Sequence, residues 1–209
     1  MKGFLSTVIE TVQIFLIALA IVIPIRYFLF QPFFMSGASM EPNFTSGEYL
    51  LIDEISYRFR EPERGEVIVF RPPNNQNPTR FFIKRIIGLQ GETIEISQGE
   101  VKIYNSQSPR GKILDEPYIK SLTKDNTKVS LKTNEYFVLG DNREHSSDSR
   151  NWGPISKKNI IGRAWISALL PSKGIRFLPS PEYEKAIIRV SIVKCFKRSP
   201  KKALCSASI

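Results

Sequence analysis

Phe81-Phe82-Ile83-Lys84-Arg85-Ile86-Ile87 (FFIKRII) sets the structural class of the chain. It is a short apolar run of strand length, interrupted by two adjacent cations. Alternation puts Phe82, Lys84 and Ile86 on one face of such a strand, and Ile83, Arg85 and Ile87 on the other. One of the two cations must then sit among apolar neighbours or at an edge. A buried lysine loses solvation, which lowers its pKa from about 10.4 by up to ~3–5 units. A neutral amine can then serve as a general base. The same run also suits an edge strand whose charges block aggregation.

Similar short runs lie on both sides. Glu48–Asp53, Glu66–Phe70, Thr93–Ile96, Val101–Tyr104, Lys128–Leu131 and Tyr136–Leu139 are apolar or alternating. Turn formers separate them at Arg71-Pro72-Pro73-Asn74-Asn75, Gln90-Gly91, Gln98-Gly99 and Pro109-Arg110-Gly111. No long amphipathic helix and no repeat is legible after residue 40. The expectation is a mainly β domain, an antiparallel barrel or sandwich.

The N-terminal part differs in kind. From about Val12 to Phe30 the chain reads VQIFLIALAIVIPIRYFLF, close to the ~20 apolar residues that cross a bilayer as a helix. Pro24 is tolerated in such a helix, and Arg26 near its end can reach the headgroups. Ala18-Leu19-Ala20 mimics the A-x-A site of a cleaved N-terminal segment, but the apolar run continues past it, so a retained anchor is expected. Lys2 precedes the span and residues 31–50 hold no Lys or Arg, which favours an inside N-terminus. The expected organisation is an anchor over 1–31, a β-rich domain over 32–180 and a basic tail over 181–209.

The net charge of +10 is concentrated in that tail, where Lys185, Arg189, Lys194, Lys197, Arg198, Lys201 and Lys202 follow the last acidic residue, Glu184. Beside an anchor this suits anionic lipid; a solvated terminus is the plainer reading. No nucleic-acid-binding signature appears. Cys195 and Cys205 both lie in the tail, so the domain has no cysteine for a disulfide and no metal-ligand set.

Two further segments carry chemistry. Ser36-Gly37-Ala38-Ser39-Met40-Glu41-Pro42 surrounds a serine with small residues that let a substrate backbone approach. Gly140-Asp141-Asn142-Arg143-Glu144-His145-Ser146-Ser147-Asp148-Ser149-Arg150 follows an apolar run with polar side chains able to satisfy one another and orient a neighbouring site. Each also reads as an ordinary loop.

Taken in order, Ser-Met-x-Pro at 39–42, Arg64–Phe70 with Phe82–Glu92, and Gly140–Arg150 resemble the boxes of the bacterial type I signal peptidases, and Ile161–Ala164 resembles the element closing their catalytic core. The resemblance runs from the anchor to about residue 170. It implies a β-rich serine protease of signal-peptidase type behind one membrane helix, with Ser39 as nucleophile and Lys84 as general base. It implies that Ser146 hydrogen-bonds the lysine amine, that Met40 helps bury it, and that Asp141, Asp148 and Arg150 support the site. Met35 and Ile83 fall where the family shapes pockets for small substrate side chains. Gly37 stands where some members carry a serine that binds the oxyanion, so the backbone N–H of Ser39 carries more of that task. The variable β region, about 92–135, is short here.

The implied reaction is cleavage of preprotein signal peptides through an acyl-enzyme, without metal or cofactor. The implied location is a bacterial-type cell membrane, single-pass, with a cytoplasmic N-terminus and the catalytic domain outside. A Ser–His mechanism through the sole histidine, His145, is the enzymatic alternative. Self-cleaving repressor proteases share the Ser–Lys logic but lack an anchor. An inactive anchored binding protein on the same fold is the alternative from another class.

Overall fold

The computed structural model of the chain describes residues 2–28, 30–73, 80–169 and 174–178. The basic tail, Cys195, Cys205 and the Asn74-Asn75 end of one expected turn lie outside the described residues. One helix, α1 (Lys2–Phe28), is followed by twelve strands: β1 (Phe30–Phe34), β2 (Tyr49–Asp53), β3 (Val67–Phe70), β4 (Phe82–Gly88), β5 (Thr93–Ser97), β6 (Glu100–Asn105), β7 (Ser108–Ile113), β8 (Thr127–Ser130), β9 (Glu135–Leu139), β10 (Ile155–Ser156), β11 (Ile160–Leu169) and β12 (Gly174–Phe177). Two single-turn helices, α2 (Ser56–Phe59) and α3 (Ser149–Trp152), interrupt them.

α1 begins earlier than the expected span at Val12 and stops short of Phe30, which already belongs to β1. The polar residues before Val12 propagate the helix although they do not extend the apolar run. Its window Ser6–Ile23 has a mean hydropathy of 2.2 and is not buried within the protein. At ~1.5 Å per residue, its 27 residues exceed the ~30 Å hydrocarbon core, leaving turns for the headgroup layers.

The strands form two antiparallel sheets. The larger runs β1-β2-β11-β3-β4-β9-β10, with β12 also beside β11; the smaller runs β7-β6-β5-β8. The expected mainly antiparallel β architecture is therefore present. β11 pairs with both β2 and β3, with register shifts between Ile160 and Gly162 and between Ala164 and Ile166. Such bulges bend a long strand and curl the sheet. A Cβ on Gly162 would lie 2.5 Å from the Asp53 carbonyl oxygen, so that pairing requires glycine. In the smaller sheet β5 (TIEIS) alternates buried and half-buried residues, and Gln98-Gly99, with φ of 53° and 87°, makes the tight turn into β6.

Some sequence expectations need correction. Pro109-Arg110-Gly111 is not a turn; it lies within β7, an edge strand, where a proline removes no interior ladder bond. β11 is longer than the Ile161–Ala164 element, and β1 and β12 were not anticipated, because their mixed composition hides the period. Both cations of β4 are buried, Lys84 at 4% and Arg85 at 6% exposure, rather than one. This is possible because β4 lies inside the sheet between β3 and β9, with apolar clusters on both faces. Phe82 and Ile86 pack with Ile68, Phe70 and Val138. Ile83 packs on the cluster of Met35, Met40 and Leu50, and Ile87 joins Ile94 and Phe137. Burying each such side chain contributes about 1.5–3 kcal/mol, enough to hold the strand while it carries two charges inward.

Candidate active site

β3 and β4 pair Ile68 with Lys84, and the strand alternation turns the lysine away from Arg85. The Lys84 amine reaches the loop after β1, where Nζ lies 2.7 Å from Ser39 Oγ and donates to the Ile83 carbonyl at 3.0 Å. The ring of Phe82 lies 5.6 Å from the same nitrogen. Burial pulls the amine down from its ordinary value to about 8, against the opposing pull of the Asp148 and Asp141 carboxylates. Ser39 is half-buried and its neighbours Ser36, Gly37 and Ala38 are exposed, so the hydroxyl sits at an accessible rim.

The loop 140–150 holds this arrangement from behind. Asn142 donates its backbone N–H to the Ser39 carbonyl at 3.1 Å and its side-chain amide to the Ala38 carbonyl at 3.0 Å. Asp148 caps α3 in a reciprocal box with Asn151 and accepts the Gly140 N–H at 3.0 Å. Arg150 clamps the loop by donating to both Asp148 oxygens, at 2.8 and 3.0 Å, and to the Arg143 carbonyl at 2.7 Å. A Cβ on Gly140 would lie 2.2 Å from Ser146 Oγ and 2.5 Å from the Ser39 carbonyl oxygen; only glycine admits both that closely.

Behind the dyad, Arg85 and Asp141 form a buried two-pronged pair, Nε–Oδ1 2.8 Å and Nη2–Oδ2 2.5 Å. Asn43 donates to the same carboxylate at 2.8 Å. A buried guanidinium needs its hydrogen bonds satisfied, and Arg85 also donates to the Gly65 carbonyl at 2.8 Å. A cavity of about 390 Å³ opens on this far side of β4, lined by Arg85, Tyr118, Arg163 and Arg176 but by neither Ser39 nor Lys84.

The structure thus brings together Ser39, Lys84, Asp141, Asp148 and Arg150. Met35, Met40 and Ile83 share one apolar cluster beside them, with Met35 and Met40 nearly or fully buried. Ser146 departs from its expected role: its hydroxyl is buried beside Gly140 and makes no hydrogen bond among the described residues, while the lysine's bonds go to Ser39 and Ile83. His145 is exposed, and its ring contacts Asn142 Oδ1 at 3.3 Å. Sequence reasoning missed Asn142, Asn43 and Gly140 as anchors of the nucleophile loop. Their only signal was their place within or just after the boxes. Among the described residues, no group of acidic, histidine or cysteine side chains has metal-site spacing.

Comparison with known proteins shows the family. The family model for the signal peptidases, peptidase S26, matches residues 8–169. A probable signal peptidase I-2 of Synechocystis sp. is 37% identical over 180 residues, covering 84% of this chain and 76% of the relative. The signal peptidase I of Leptolyngbya laminosa is 34% identical over 184 residues, covering 85% and 88% respectively. Signal peptidase I V of Bacillus subtilis is 34% identical over 161 residues, covering 70% and 90%. With a model match over most of its length and these relatives alongside, the chain belongs to the S26 signal peptidase family.

Proposed function

We propose that this protein removes N-terminal signal peptides from exported preproteins, with Ser39 as nucleophile and Lys84 as its general base. The observation that carries the reading is the 2.7 Å contact between Ser39 Oγ and a lysine amine that is 4% exposed. A neutral amine has two N–H donors and one lone pair. The Ile83 carbonyl takes a donor, which leaves the lone pair for the serine proton. Ser39 Oγ attacks the scissile carbonyl as its proton passes to Lys84 Nζ; the resulting ammonium protonates the leaving amine. Water then attacks the acyl-enzyme, giving up its proton to the same nitrogen, and Ser39 is restored. The Ser39 N–H donates to no acceptor among the described residues and suits the developing oxyanion. Met40, Asp141, Asp148 and Arg150 support this pair, Ser146 packs against Gly140 in the same loop without bonding the amine, and Met35 and Ile83 shape the walls for small substrate side chains. The domain limits follow the sequence reading: anchor 1–31, protease 32–180, tail 181–209.

The test is cleavage of a model preprotein by the full chain in detergent. Ser39→Ala and Lys84→Ala are each expected to abolish turnover while the fold survives. Near-normal turnover by either folded variant would remove the dyad.

The finer placement is also a proposal: a single-pass protein of a bacterial cell membrane, N-terminus cytoplasmic, catalytic domain outside. One sheet face supports a domain resting on the bilayer. Register aligns Pro32, Leu51, Ile166 and Phe177 in one row and Phe34, Tyr49, Ala168 and Ile175 in the next. Phe34, Tyr49, Ile175 and Phe177 are exposed, in the part of the sheet that begins with β1, the strand that follows α1. Such an apolar surface suits a lipid interface. The basic tail would add about 1 kcal/mol per residue near anionic lipid. Protease digestion of right-side-out vesicles checks the orientation: the catalytic domain should be degraded, and full protection would reverse it.

A further inference from the structure

The segment 114–125, between β7 and β8, belongs to none of the three sequence boxes, yet it touches two of them, at Arg85 and Arg143, and Asn43, the residue that follows the other. Glu116 receives Arg143 through two bonds, Nη2–Oε1 at 2.5 Å and Nη1–Oε2 at 2.9 Å, with the two side chains 6% and 1% exposed. Thr123, fully buried, takes a further donor from the same guanidinium. The Tyr118 hydroxyl donates to Glu116 Oε1 at 2.6 Å. The Tyr118 ring lies 4.2 Å from the Arg85 guanidinium carbon, and its carbonyl accepts from Asn43 at 2.9 Å.

Each contact lands one step from the chemistry. Arg143 donates through Nε to the Gly140 carbonyl at 3.0 Å, and next to it Asn142 holds the carbonyls of Ala38 and Ser39. Arg85 follows Lys84 directly and carries Asp141. Asn43 leaves the nucleophile loop and meets that same carboxylate. A packing spacer would be apolar. Here two charges are removed from water, which is tolerated only where their hydrogen bonds are made in fixed directions, and a two-pronged arginine pair fixes direction as well as distance.

We propose that Glu116 and Tyr118 are positioning residues for the reaction, holding Arg143, Arg85 and Asn43 so that the Ser39 loop and the Lys84 strand stay in register. The inference rests on the Ser–Lys reading above. Loosening the strap lets the serine loop shift against the lysine and lets water approach the amine. The charged groups around Lys84 that stay in place are Asp141 and Asp148, with Arg85 on the opposite face of the strand.

The experiment measures preprotein cleavage against pH by the full chain in detergent, for the parent protein, Glu116→Gln, Tyr118→Phe, Asp115→Asn and Ser39→Ala. Glu116→Gln is expected to lower kcat on the order of ten-fold or more with KM changed by less than about two-fold, as for a small misplacement of reacting groups. The limb on which its rate rises with pH should move to higher pH as the lysine is rehydrated. Asp115→Asn removes the exposed neighbouring carboxylate and should match the parent. A folded Glu116→Gln enzyme with parental kcat and limb overturns the proposal. If Glu116→Gln does not fold, Tyr118→Phe decides: it removes the hydroxyl that bonds Glu116 and keeps the ring over Arg85, and an unchanged kcat and limb overturn the proposal equally. Cleavage by Ser39→Ala would instead remove the Ser–Lys reading. An inactive Ser39→Ala beside an unaffected Glu116→Gln removes this inference alone.

Discussion

The backbone N–H of Asn142 donates to the carbonyl oxygen of Ser39 at 3.1 Å, so the loop after β9 holds the proposed nucleophile by its own main chain. The Asn142 amide adds a second bond, to the Ala38 carbonyl, and Gly140 lies against the Ser39 carbonyl oxygen with no room for a side chain. The serine is therefore placed by two residues, Gly140 and Asn142, of a loop about a hundred positions away in sequence.

Gly140→Ala should displace that carbonyl. The added methyl would start 2.5 Å from backbone oxygen and 2.2 Å from Ser146 Oγ, and backbone does not yield cheaply. We expect kcat to fall about a hundred-fold, the scale of a 1 Å misplacement. Asn142→Ala removes the side-chain bond to the Ala38 carbonyl and the exposed contact with His145, and should lower stability by about 1 kcal/mol, with a smaller fall in kcat. Thermal melts beside turnover check both; parental turnover by Gly140→Ala would show that the close approach is not needed.

Lys84 should destabilise the protein it serves. Its folded pKa of about 8 lies below the ordinary 10.5. Below pH 8 both folded and unfolded chains hold the proton, and the folded state bears the whole desolvation cost. Between about 8 and 10.5 the unfolded chain binds more protons, so stability rises with pH until both forms are neutral. The shift corresponds to about 3 kcal/mol at 1.36 kcal/mol per unit. Lys84→Met is expected to be inactive and to raise stability by up to about 3 kcal/mol at pH 7, with the gain vanishing near pH 10.5. Denaturant melts at the two pH values read this directly. A variant less stable than the parent at pH 7 would show that the amine's contacts outweigh its desolvation.

His145→Ala should keep most of its activity. The ring is exposed, and its hydrogen-bond contact is with Asn142, at 3.3 Å. Preprotein turnover by the variant checks this, and a loss as deep as that of Lys84→Ala would support a Ser–His mechanism.

Much of this was legible in the sequence because the deciding signals are local. FFIKRII announces a buried strand, and alternation alone separates Lys84 from Arg85. EVIVF and YFVL read as strands because they are apolar but for Glu66, and both are buried along nearly their whole length. The long β11 was largely hidden, since it changes partners and bulges, which scrambles the period of Ile160–Leu169. Contacts between distant segments were hidden for another reason. Nothing in the residues around 116 shows that Glu116 will meet Arg143, because that pairing is set by how the smaller sheet folds back. The bond expected from Ser146 to Lys84 came from resemblance, and here the hydroxyl is turned against Gly140 instead.

If Lys84 acts as a neutral amine, the pH dependence of kcat/KM for preprotein cleavage must follow its deprotonation. At an ordinary pKa of about 10.4, deprotonation at pH 7 would add about 4–5 kcal/mol to the barrier. At about 8 it adds only about 1–2 kcal/mol. The expected result is a rate that rises about ten-fold per pH unit and levels off near pH 8, with the limb unchanged in His145→Ala. A limb centred near ~6.5 that disappears in His145→Ala would assign the base to the histidine. A profile flat from pH 6 to 9, or one still rising at pH 10, would contradict a buried lysine base.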